Sequence, residues 1–126
     1  MMVVLLSSDL MGMSRVEGAA RQAGLDLRFL SSVDAVADFC ASRPVALLLI
    51  DLSTPRLDMT ALMRRLRSDA AGHVPRTIAF GPHVHEEALE AAAAAGCDRV
   101  LSRGAFMAQL GTILAENASG NNTAAN

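Results

Sequence analysis

The chain has 126 residues, enough for one hydrophobic core and too few for two. Hydrophobic residues make up 52% and charged residues 19%, a balance that excludes a disordered chain. The formal net charge of -2 gives no reason to expect nucleic acid or an anionic membrane, and all 11 basic residues are arginine, which excludes Schiff bases, a P-loop lysine and a lysine general base.

Short apolar runs alternate with amphipathic stretches along the chain. Residues 3–6 are apolar and stop at Ser7-Ser8-Asp9; without a basic flank they read as a strand, not a signal peptide. The spacing of Met13, Val16, Ala20 and Ala23 predicts a helix over 11–23, with Ser14 and Glu17 as a capping box and Gly24 as its end. Residues 25–30 alternate apolar and polar, as a strand with one buried face does. Ser31-Ser32 precede a helix over 33–41, in which Val33, Val36, Ala37 and Cys40 share one face. Residues 45–50 are apolar throughout, the pattern of a central parallel strand buried on both faces, and are too few to span a bilayer.

A helix over 60–67 places Leu62, Met63 and Leu66 inward, with Arg64, Arg65 and Arg67 mainly outward as a solvated face. A strand over 75–80, a helix over 86–95, a strand over 98–102 and a helix over 105–116 complete the pattern. Residues 1–116 then form a single domain, and 117–126, with no hydrophobic pattern, a flexible polar tail. Five strand–helix pairs predict an α/β fold: a doubly wound five-stranded parallel sheet with helices on both faces, a flavodoxin-like arrangement. In such sheets the functional cleft lies at the carboxyl ends of the strands. The residues to inspect are therefore Ser7-Ser8-Asp9, Asp51-Leu52-Ser53, Phe80-Gly81 and Ser102-Arg103.

Asp51 stands out because it ends the most apolar strand, where desolvation and neighbouring groups tune a carboxylate. Ser53, Thr54 and Pro55 follow it, so a role in capping a turn is the competing reading.

Two segments, Leu48-Leu49-Ile50-Asp51-Leu52-Ser53-Thr54-Pro55 and Ala95-Gly96-Cys97-Asp98-Arg99-Val100-Leu101-Ser102-Arg103, together with the order of elements, resemble a response-regulator receiver domain from residue 3 to about 116. The resemblance implies the receiver topology and makes Asp51 the candidate phosphoacceptor. It also marks a degenerate pocket. The two acids that hold Mg²⁺ in receivers are matched by Ser7 and Ser8, with Asp9 one step on. Two hydroxyls do not replace two carboxylates for a hard divalent cation, so no cofactor is expected. The Ser or Thr ending the fourth strand is matched by Phe80, the switch aromatic of the fifth strand by Val100, and the lysine–proline pair by Arg103 and Gly104. With fewer acids around Asp51, Arg103 is free to pair with it; the alternative is that Arg103 points to solvent.

The remaining features have simpler readings. Cys40 and Cys97 lack metal or redox spacing and read as small buried hydrophobes in a reducing compartment. His83 and His85 do not share a helix face, and His73 reads as a solvated loop residue. The alanines at 91–95 hint at an interface, and by the resemblance a homodimer would use the face of the fourth helix, fifth strand and fifth helix. There is no GxGxxG, GxxxxGK[ST] or GxSxG motif, and with 3% aromatics there is little to hold a flavin, so an enzyme or cofactor domain is the least favoured reading. The sequence and the resemblance together lead to the expectation of a cytoplasmic, stand-alone signalling domain in a two-component-type pathway. It is expected to bind a kinase, an output protein or a scaffold, without nucleic acid or membrane, and to be no enzyme. Weak phosphoacceptance on Asp51 in a phosphorelay is the alternative.

Overall fold

The computed structural model of the chain describes residues 1–69 and 74–118. Strands and helices alternate as β1 (Met2–Leu6), α1 (Leu10–Gln22), β2 (Asp26–Leu30), α2 (Val33–Ser42), β3 (Leu47–Asp51), α3 (Met59–Asp69), β4 (Arg76–Gly81), α4 (Glu86–Ala94), β5 (Arg99–Ser102) and α5 (Arg103–Ala118). The strands form one parallel five-stranded sheet in the order β2-β1-β3-β4-β5. The doubly wound architecture read from the apolar pattern is the one observed. Among the described residues, no helix is long and apolar enough to cross a membrane.

Successive side chains of a strand point to opposite faces, and this sorts the core into two halves. Val3, Leu5, Leu47, Leu49, Ile78 and Phe80 pack against Val16 and Ala20 of α1 and Phe106, Leu110, Ile113 and Leu114 of α5. Their neighbours Val4, Leu6, Leu48, Ile50 and Ala79 pack against Val36 and Cys40 of α2, Leu62, Met63 and Leu66 of α3 and Ala92 of α4. The odd residues of β1 and β3 therefore face α1 and α5. That parity decides which residues beyond the strand ends can meet.

The structure corrects several local expectations. Asp9, not Ser14, begins α1: its Oδ1 accepts the Met11 N–H at 3.1 Å, and its carbonyl accepts the Met13 N–H at 3.0 Å. Ser14 lies inside the helix and is exposed, so no capping box forms with Glu17. Gly24, at φ +73°, takes the left-handed turn that follows α1. The final helix begins two residues earlier than expected because the Ser102 hydroxyl accepts the Ala105 N–H at 3.1 Å. It also takes in Asn117 and Ala118, so the expected tail does not begin at 117; the rest of that tail, and His73, lie outside the described residues. The three arginines of α3 are not one solvated face either. Arg65 is half-buried and bonds Asp34 at 2.9 Å and Asp38 at 3.2 Å on α2, while Arg67 donates to the Ala95 carbonyl at 2.8 Å.

Cys40 is buried and Cys97 half-buried, and both are free thiols. Burial pushes the Cys40 thiol up to about 11 from 9.0, and burial likewise raises Cys97. The unfolded chain then loses the thiol proton first, so the contribution of Cys40 is fully present below pH 9.0 and is lost as pH rises to about 11. The chain has no lysine or tyrosine, so among the side chains only the raised Cys97 thiol shares this window. Urea unfolding between pH 8 and 11 should show stability falling by about 2 kcal/mol, and Cys40→Ala should flatten that slope. An equally steep slope in the variant would assign it to another group.

Candidate functional site

The carboxyl ends of β1, β3 and β4 meet at one point. Asp51 ends β3 opposite Phe80 in the register, and Phe80 in turn lies opposite Leu101 of β5. By the parity of its strand, the Asp51 side chain leans toward α1 and α5, the same side as Ser7. Both are buried, at 2% and 3% exposure.

A buried carboxylate must be hydrogen-bonded, and Asp51 is. Ser7 Oγ donates to its Oδ2 at 2.7 Å, the Ser53 N–H donates to its Oδ1 at 2.9 Å, and Arg103 Nη2 donates to the same Oδ1 at 3.3 Å. The Asp51 carbonyl accepts the Thr54 hydroxyl at 2.7 Å and the Thr54 N–H at 3.0 Å. Asp51 therefore caps its turn and pairs with Arg103 at once; the two readings of this residue are not exclusive.

Arg103 is the first residue of α5, where a cation meets the positive end of the helix dipole. Two carboxylates offset this: Nη1 lies 3.6 Å from Asp9 Oδ2 and Nη2 lies 3.3 Å from Asp51 Oδ1. The guanidinium also sits above the Phe80 ring, its Cζ 5.7 Å from the centroid. Behind Phe80, Phe106 of α5 stacks at 4.0 Å with an interplanar angle of 3°. Ser7 completes the cluster by accepting the Asp9 N–H at 3.0 Å on the same hydroxyl that donates to Asp51.

Thus Ser7, Asp9, Asp51, Phe80 and Arg103 come together, and two other expected residues do not. Ser8 has the opposite parity, is exposed, and lines a separate polar cleft with Ser31, Ser32 and Arg56. Val100 pairs with Ala79 and packs on the cluster shared by α2, α3 and α4. The histidines at 83 and 85 are exposed, and His85 precedes α4 without a side-chain cap bond. Sequence reasoning treated Ser7 only as a lost acid and overlooked it as a donor to Asp51. It also passed over Phe106, for which the only signal was an aromatic residue on the inward stripe of the last helix.

No family model matches the chain, and no curated protein matches it in sequence. Solved structures do. A response regulator in red light signaling of R. palustris superposes with a TM-score of 0.75 at 22% identity, over 99% of this chain and 96% of its own. The receiver domain of a sensor histidine kinase from Pseudomonas aeruginosa, with a magnesium ion coordinated in its active site cleft, gives 0.78 at 19% identity over 94% and 97%. The receiver domain of a Saccharomyces cerevisiae response regulator, crystallised with a histidine phosphotransfer protein, gives 0.78 at 12% identity over 95% and 90%.

The chain has the receiver fold. In that fold the cleft at the carboxyl ends of the strands is where Asp51 lies, and the elements around it are the ones described above.

Proposed function

We propose that this receiver-fold chain is a signalling domain of a two-component-type pathway that acts by binding another protein. Its aspartate pocket is held in one state by Arg103 and not by Mg²⁺ and a phosphoryl group. The observation that carries this reading is the guanidinium bridging Asp9 at 3.6 Å and Asp51 at 3.3 Å. Arg103 takes up the negative charge that a divalent cation would otherwise neutralise.

The donor set speaks against Mg²⁺, which wants several hard oxygen acceptors in near-octahedral array. Here Ser7 spends its proton on Asp51, Asp9 Oδ1 is taken by the Met11 N–H, and Asp9 Oδ2 faces Arg103. Among the described residues there is no group of three or more His, Cys, Asp or Glu placed to hold a metal. Phosphoryl transfer depends on cations that neutralise the three equatorial oxygens, and Phe80 supplies no hydroxyl to receive one of them. A protein partner fits the solved yeast receiver domain, which was captured with a phosphotransfer protein.

Backbone NMR with beryllium fluoride and Mg²⁺, which together mimic a phosphoryl group on aspartate, tests the proposal. The spectrum should stay unchanged around Ser7, Asp51 and Arg103. Saturable shifts centred on Asp51 would overturn it and make the chain a phosphoacceptor.

A further inference from the structure

The basic triplet of α3 divides between two sides of its helix. Arg65 turns to α2 and is held by Asp34 and Asp38, whereas Arg64 and Arg67 line a groove between α3 and α4 whose other wall is Ala91, Ala94 and Ala95. Arg67 is fixed at one end of this groove. It donates to the Ala95 carbonyl at 2.8 Å, and its guanidinium occupies the space that a side chain at residue 96 would need. Glycine stands there, at φ +102°, a backbone angle that favours it, and a side chain at this position would have to push the guanidinium aside. An arginine has five N–H donors in a fixed fork, and the bond to the Ala95 carbonyl uses only one of them. Arg64, one turn earlier and exposed, makes no side-chain ion pair or hydrogen bond in the described structure.

We infer that this groove docks a helical segment of a partner protein bearing acidic residues one turn apart, an interaction surface separate from the Asp51 pocket. The charge and the shape agree on that occupant. Two guanidiniums at i and i+3 match carboxylates at i and i+3 or i+4 of a facing helix, and a held fork binds a carboxylate at lower entropic cost than a free one. Alanine along the opposite wall lets the backbone of a third helix come close, the helix-in-groove mode. Nucleic acid suits the surface less well. The groove has no aromatic ring on which a base could stack.

The test is an NMR titration of the whole chain with a synthetic alanine-based helical peptide carrying glutamates at i, i+4 spacing. Amide shifts should map to Arg64, Arg67, Ala91 and Ala94, weaken with added salt, and leave the Asp51 region unmoved. Arg64→Glu should weaken binding about tenfold by turning an attraction into a repulsion. Ala91→Glu, which leaves both arginines in place, should weaken it comparably. The same peptide with lysine for glutamate should not bind. Absence of shifts at millimolar peptide would overturn the inference, as would shifts elsewhere, preference for a short oligonucleotide, or occupation of the groove by a second copy of the chain. Arg103→Ala should leave peptide binding intact, so the groove and the reading of the Asp51 pocket can fail independently.

Discussion

Replacing Arg103 with alanine should lower the unfolding free energy by about 1–2 kcal/mol at pH 7, less than for a fully enclosed ion pair because the arginine is partly exposed. Its side chain is 32% exposed whereas that of Asp51 is 3% exposed, so the loss falls on the aspartate. Asp51 keeps the Ser7 hydroxyl and the Ser53 N–H but no longer has a cation within reach. Relief of the unfavourable charge at the start of α5 returns a few tenths of a kcal/mol and does not change the sign. Urea denaturation should show a lower midpoint at unchanged slope. With Asp51→Asn as the background, the same replacement should matter far less, giving a coupling energy of about 1 kcal/mol in a double-mutant cycle. A coupling near zero would mean that the contact does not persist in solution.

Replacing Ser7 with aspartate should destabilise the chain by about 2–3 kcal/mol in the absence of divalent cations. The change removes a 2.7 Å hydrogen bond donated to a buried carboxylate and sets a second carboxylate against it. Ser7→Ala, which removes only the hydrogen bond, should cost about 1–2 kcal/mol. The excess in the aspartate variant is like-charge repulsion, and its sign with pH follows. A carboxyl crowded by another is more easily protonated in the folded state than in the unfolded one. The variant's stability relative to the native chain is then higher near pH 5 and falls as pH rises toward 8. Millimolar Mg²⁺ should recover part of the loss for this variant and do nothing for the native chain, since only the variant offers the added acid. Thermal unfolding at two pH values, with and without Mg²⁺, reads all of this. Equal stability of Ser7→Asp and Ser7→Ala at pH 8 would refute the electrostatic account.

The cluster around Asp51 also shows what kind of information a sequence holds. That a carboxylate would end the most apolar strand was legible, because a strand buried on both faces is written as consecutive apolar residues and its end as the first charge. That Ser53 and Thr54 would fold back on Asp51 was legible too, since such turns close within a few residues. The role of Ser7 was not, although its neighbour Asp9 was noticed. A hydroxyl reads as a missing acid until the partner 44 positions away is known to lie 2.7 Å from it. Ser8 failed as a pocket residue because, just past the end of β1, it lines the cleft with Ser31 and Ser32 instead of facing Asp51.

Composition and periodicity by themselves determined the layers of this molecule: which residues are inside, where the strands stop, and that Asp51 stands at the rim. These follow from solvent exclusion and from the repeats of 2.0 and 3.6, which any short window contains. Only the tertiary structure decided the chemistry at the rim. It set Arg103 between Asp9 and Asp51, stacked Phe80 on Phe106, and split the α3 arginines so that one is tied to α2 and two line the α4 groove. Each of these pairs residues remote in sequence, and no local pattern records them, because their energies arise only when the sheet order and the parity of its strands bring the groups together.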